Sequence, residues 1–168
     1  MTLQIKRRGR PSKASIAERD KLVPKVKRAD TEVLADLRDR FEMLGKLTQG
    51  TMKANIRSMV VTGAPGVGKT YTVTNILENT LNAKYETVAG ALSAVELYKL
   101  GYRNRKAGSV IVLDDADSIF TDEDALNILK ALCDSSPVRR VSWLKDSATL
   151  RQDDTPQSYE FHGSFIFI

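Results

Sequence analysis

Eight residues, "GAPGVGKT" from Gly63 to Thr70, constrain this chain more than any other stretch of it. They satisfy the spacing GxxxxGK[ST]. They follow the short apolar run "RSMVVTG" and open "KTYTVTNILENTL", in which Val73, Ile76, Leu77 and Leu81 recur at helical steps. A strand that turns through glycines into a helix N-terminus suits one kind of ligand. Gly63, Gly66 and Gly68 let the backbone curl until its N–H groups surround phosphate oxygens, and the helix start adds partial positive charge. Lys69 can then reach the β- and γ-phosphates, and Thr70 can offer its hydroxyl to Mg²⁺. The expected binding segment is Gly63, Ala64, Pro65, Gly66, Val67, Gly68, Lys69, Thr70 and Tyr71.

The stretch "SVIVLDDADSIF", Ser109 to Phe120, sets an apolar run against three carboxylates. Strands often end in aspartates because Asp is a good turn former. The phosphate-binding loop changes that reading, since parallel strands joined by right-handed crossovers end on the same side of a sheet. Asp114 is then expected to hold Mg²⁺, usually through water, and Asp115 to polarise the attacking water. Asp117 reads as a turn residue or a support to the other two.

Elsewhere the patterning is that of an α/β domain. Leu34, Leu37, Phe41, Leu44 and Leu47 predict an amphipathic helix from Asp30 or Thr31 to near Gly50, taken to pack on its own sheet rather than to join copies. "YETVAG" reads as a strand, "SAVE" as a capping box opening a helix, and "TDEDALNILKALCD" as a helix with acids in its first turn. "VRRVSWL" reads as a strand or hairpin arm, and "GSFIFI" as a last strand. Strands alternating with helices predict a parallel sheet covered on both faces.

At 168 residues the chain holds one sizeable core plus a tail. His162 is its one histidine, which excludes His-based zinc clusters and most acid–base triads. The single cysteine, Cys133, has no disulfide partner within the chain and points to a reducing, intracellular setting, with no segment long and apolar enough to span a bilayer. The net charge of +5 is uneven: residues 1–30 carry ten Lys/Arg against three Asp/Glu, and the remaining 138 carry sixteen against eighteen.

On the phosphate loop, the Asp114-Asp115 strand and the run between Tyr85 and Trp143, the chain resembles the AAA+ ATPases, and in particular those encoded by tailed bacteriophages. The resemblance covers roughly residues 40–168. It implies a P-loop NTPase fold with sheet order 5-1-4-3-2, the "FIFI" strand lying between the strands of the two motifs, together with Mg²⁺-dependent ATP hydrolysis, ring assembly and a place in the host cytoplasm. There are two departures from the family pattern. Asp115 stands where a Glu is usual, which shortens the reach of the base by about 1 Å, enough to cost on the order of 100-fold. The sensing residue, arginine finger, last strand and helical lid do not follow Ile168, so residues 30–168 are expected to be a core truncated at its fourth strand. Arg139 or Arg140 could serve as the finger, but a solvated pair flanking a turn is the plainer expectation.

Residues 1–29 have few large apolar side chains, two prolines and dense positive charge, and are expected to be largely disordered. Within them "KRRGRPSK" resembles the AT-hook, whose core here is Arg8, Gly9, Arg10 and Pro11. That core suits the narrow minor groove of A·T-rich DNA, although a generic basic arm would bind phosphates without sequence preference. The combined expectation is a DNA-associated ATPase, of helicase or helicase-loader kind, in phage DNA metabolism. A P-loop small-molecule kinase and a non-enzymatic, nucleotide-switched DNA-binding protein are the alternatives.

Overall fold

The structure is a computed structural model that describes residues 29–168; the segment holding Arg8, Gly9, Arg10 and Pro11 lies outside the described residues. In chain order the elements are α1 (Asp30–Met52), β1 (Ser58–Val60), α2 (Lys69–Glu78), β2 (Lys84–Ala89), α3 (Ala94–Arg103), β3 (Ser109–Asp114), a 3₁₀ turn (Asp117–Phe120), α4 (Glu123–Leu132), β4 (Arg139–Ser142), α5 (Ala148–Gln152), β5 (Ser158–Phe161) and β6 (Ser164–Phe167). Residues Arg38–Ile168 form one compact unit, and α1 as far as Leu37 belongs to a separate one.

Four strands pair in parallel in the order β1-β6-β3-β2. The "FIFI" strand, β6, therefore lies between the strands of the two motifs, as the resemblance implied. Because side chains alternate along a strand, the sheet has two apolar faces. Val110, Val112 and Ile166 pack with Val73 and Leu77 of α2, while Ile111, Leu113 and Phe165 pack with Leu97 and Leu100 of α3 and Leu129 and Leu132 of α4. Each such side chain contributes about 1.5–3 kcal/mol on burial, which holds the strand ends in place for the site.

The helix starts follow local chemistry. Ser93 accepts a hydrogen bond from the Glu96 N–H at the head of α3, and Asp122 accepts one from the Ala125 N–H at the head of α4. Two expectations about helices are corrected. Helix α2 ends at Glu78, leaving Leu81 outside it and 89% exposed. In the part of α1 beyond Leu37, Met43 and Leu47 are exposed, whereas Leu44 and Met52 pack partly buried against the core and Thr48 and Thr51 are fully buried.

Between α4 and β6 the chain forms an antiparallel pair, β4 with β5, in which β4 packs on α4 and β5 on α3. Its anchor is aromatic: the Tyr159 hydroxyl donates to the Tyr98 carbonyl and the Tyr98 hydroxyl to the Pro156 carbonyl, both at 2.8 Å. Burial pushes the Tyr98 phenol up to about 12 and the Tyr159 phenol higher still. Arg139 is also buried here, donating to the Leu132 and Gly163 carbonyls at 2.9 Å over the Phe161 ring. The solvated Arg139–Arg140 pair is thus half corrected: Arg140 alone is exposed, beside Glu160.

The β5–β6 turn leaves no room for a side chain. A Cβ on Gly163 would lie 2.5 Å from the Asn104 carbonyl oxygen and 2.7 Å from the Phe161 ring. Backbone cannot rotate aside, so Gly163→Ala is expected to cost about 3 kcal/mol and lower the melting temperature by about 6–12 °C. At Gly101 the obstacles are side chains, the Tyr159 hydroxyl and Leu132. Gly101→Ala should therefore cost less in the same thermal melt, and the reverse ranking would contradict this packing.

Candidate functional site

At the carboxyl end of the sheet Val60, Phe167, Leu113 and Val88 stand in one register row. The segments that leave this row carry the sequence motifs. The chain beyond β1 turns through Gly66 and Gly68, both left-handed at φ 75° and 94°, a conformation that strains any side-chain-bearing residue. Gly63 is not left-handed, and a Cβ there would meet Lys69 at an ordinary 3.5 Å. The curl thus depends on the second and third glycines more than on the first. Gly68 caps α2 without any side-chain hydrogen bond, so the N–H groups of the first helical turn face the loop with no capping acceptor.

Lys69 folds back into the curl, its ammonium donating to the Gly63 and Ala64 carbonyls at 3.1 Å. Ala64, Pro65, Gly66 and Val67 are exposed along the rim, and Tyr71 is 74% exposed on the first turn of α2. Thr70 points the other way. Its hydroxyl donates to Asp114 Oδ1 at 3.3 Å, across 44 residues of sequence. One hydroxyl and one carboxylate suit Mg²⁺, which takes few protein ligands and completes its shell from phosphates and water. Among the described residues no group of three or more His, Cys, Asp or Glu gathers to hold a metal on protein ligands alone.

Asp115 follows directly on β3, exposed and left-handed at φ 51°, with its N–H donating to the Ile168 carbonyl. Asp tolerates this conformation better than most residues, and here it turns the chain away from the sheet just past Asp114. Asp117 is exposed and opens the 3₁₀ turn, which Ile119 fixes by burying completely in the core. It does not join Thr70 and Asp114 in any hydrogen bond among the described residues. Asp122, Glu123 and Asp124 follow at the head of α4, so this end of the sheet is strongly acidic.

Sequence reasoning missed an apolar groove of about 460 Å³ beside the loop, bordered by Val60, Thr62, Asp117, Phe120, Leu129 and Phe167. These residues come from four separate segments, and no local pattern marks them. Cys133 also borders the groove, and burial pushes its thiol up to about 11, which fits an unreactive packing residue. Tyr98 is fully buried and Tyr102 half-buried beneath Arg105, as packing residues of α3.

Residues 59–143, about half of the chain, match the ATPase family associated with various cellular activities (AAA). The match includes the phosphate loop and the Asp114-Asp115 strand. An uncharacterized 36.7 kDa protein from the nrdC–mobD intergenic region of Enterobacteria phage T4 is 34% identical over 149 residues, which are 87% of this chain and 46% of that protein. The chain thus spans about half the length of the curated relative it matches. No solved structure matches it.

Proposed function

The chain belongs to the AAA family of ATPases, and from that premise we propose that it binds ATP with Mg²⁺ and hydrolyses it as a DNA-associated motor or remodeller, of helicase or helicase-loader kind, in phage DNA metabolism. The observation that carries this reading is the Thr70 hydroxyl lying 3.3 Å from the Asp114 carboxylate at the mouth of a loop that contains Lys69. A hydroxyl against a carboxylate at a helix start, beside a loop that holds a lysine ammonium, supplies the groups that a magnesium-bound triphosphate needs.

In this reading Gly63 to Tyr71 cradle the phosphates, Lys69 neutralises the β- and γ-phosphates, and Thr70 and Asp114 hold the metal. The metal supplies charge neutralisation at the β- and γ-oxygens. Asp115 accepts a proton from water as the water oxygen bonds to the γ-phosphorus; the bond from that phosphorus to the β–γ bridging oxygen breaks, giving ADP and inorganic phosphate. The exposed carboxylate of Asp115, one residue past the metal-holding aspartate, favours transfer to water over transfer to a bound acceptor in a kinase.

The phage relative supports a phage setting, which fits the host cytoplasm. No described helix is long and apolar enough to cross a membrane. The family supports assembly of copies into a ring, with an arginine reaching a neighbour's phosphates. Arg139 is excluded from that role by its buried hydrogen bonds. Arg8, Gly9, Arg10 and Pro11 are proposed as the arm toward DNA.

Calorimetry and phosphate release test the reading together. Mg²⁺-dependent heat on adding ATP and DNA-stimulated release of phosphate are expected. Heat without release would select the nucleotide-switched DNA-binding protein, to which the short side chain of Asp115 lends weight. No heat would remove the nucleotide altogether.

A further inference from the structure

The opposite end of the sheet has the opposite charge. The strands are parallel, so the residues that enter β1, β2 and β3 gather at one end, away from the phosphate loop. Those entries carry Lys53, Lys84, Arg105 and Lys106. The ammonium groups of Lys53, Lys84 and Lys106 are exposed and make no hydrogen bond or ion pair with any described residue. Arg105 lies 4.1 Å over the Tyr102 ring and donates to the Tyr102 carbonyl, with no carboxylate beside it.

The acids of this end are few and mostly committed. Glu86 is held by Arg103 and Asn104, and Asp134 by Ser136. Glu78, at the end of α2, is exposed. Helix C-termini attract cations in any protein, and Lys53 follows one directly. Lys84 opens a strand six residues past the end of α2, beyond the reach of that effect.

One of the three lysines, Lys53, lines a hollow, and the other two lie close in sequence to segments that line it. A cavity of about 370 Å³ is lined by Lys53, Gln49, Thr80, Asn82, Ala83 and Gly108, among others. Ala83 adjoins Lys84, and Gly108 stands two residues from Lys106. The left-handed Gly108 packs so closely that a Cβ on it would lie 3.2 Å from the Met52 carbonyl, which brings the Lys53 and Lys106 segments together. The Lys53 ammonium, the Gln49 and Asn82 amides and the Thr80 hydroxyl stand among the apolar Met52 and Leu81 in this hollow, and they are groups of the kind that contact phosphate.

We propose that this amino end of the sheet contacts the phosphate backbone of nucleic acid through Lys53, Lys84, Arg105 and Lys106. The inference rests on the DNA-associated reading above and adds a contact made by the ATPase core itself, separate from the arm. Repulsion orients the complex: a polyanion is turned away from Asp114, Asp115, Asp117, Asp122, Glu123 and Asp124 and toward the lysines.

The experiment uses the full chain, a triple variant Lys53→Gln/Lys84→Gln/Lys106→Gln, and an arm variant Arg8→Ala/Arg10→Ala. Affinity for a mixed-sequence single strand and duplex is measured across salt concentrations, beside affinity for a fluorescent ATP analogue with Mg²⁺. Each lost phosphate contact lowers the salt slope by about 0.7–0.9, so the triple variant is expected to lose about 2–3 from the slope and to bind about 10- to 100-fold more weakly near 0.1 M salt. Its ATP-analogue affinity should stay unchanged.

A triple variant that binds nucleic acid as the unaltered chain does, while the arm variant fails, overturns the inference and leaves the DNA-associated reading standing. An unaltered chain that binds neither oligonucleotide overturns both. Sedimentation without nucleic acid guards against contact between copies. If the triple substitution dissolves an oligomer and leaves the salt slope unchanged, the lysines meet the acidic end of a second copy and the inference falls.

Discussion

Replacing Asp115 by asparagine is expected to lower ATP turnover by about 100- to 10,000-fold, the range by which a positioned general base accelerates proton transfer. Binding of ATP with Mg²⁺ should survive within about 2-fold, because Asp114 rather than Asp115 lies against Thr70. Asparagine is the informative substitution here. Asp115 sits at φ 51°, and Asn accepts the left-handed conformation as readily as Asp, so the change removes the charge and leaves the turn in place. Single-turnover phosphate release and equilibrium nucleotide binding check it in one preparation. Unchanged turnover would take Asp115 out of the role. Loss of binding and turnover together would make its charge part of the nucleotide cradle.

Replacing Lys69 by alanine should act on both quantities. Turnover is expected to fall about 100- to 1,000-fold, as when one preorganised donor to a developing charge is lost, and ATP affinity about 10- to 100-fold, as when a charged hydrogen bond is lost. The substitution also removes the two hydrogen bonds from the ammonium to the Gly63 and Ala64 carbonyls. Lys69→Arg separates the causes, since a planar guanidinium keeps the charge but not the compact point ammonium that fits inside the curl. Turnover should remain low in the arginine variant while its thermal stability matches the original. An alanine variant that binds ATP with full affinity would contradict the placement of Lys69 at the phosphates.

The parts of this protein legible in its sequence are those set by neighbours along the chain. The glycine spacing of Gly63 to Thr70 needs only local backbone geometry. The caps at Ser93 and Asp122 work within three residues, and the continuous apolar runs of β3 and β6 declare strands buried on both faces. Leu81 and the exposed apolar residues of α1 were misjudged because periodicity shows that residues share a face and says nothing of what covers that face. The short elements α5 and β5 passed unnoticed, since neither carries the continuous apolar run that marked β1, β3 and β6.

The convergence of Thr70 on Asp114 followed from sequence once a parallel topology was assumed, because handedness and strand direction leave few other arrangements. What the tertiary structure alone decided is every feature assembled from distant segments. Arg139, read as solvated, is buried because α4 and the β5–β6 turn both aim carbonyls at it. The basic end that collects Lys53, Lys84 and Lys106 has the same origin. Nothing local relates three lysines spread over more than fifty residues, whereas a sheet whose strands all run one way must gather every strand entry at one end and every exit at the other.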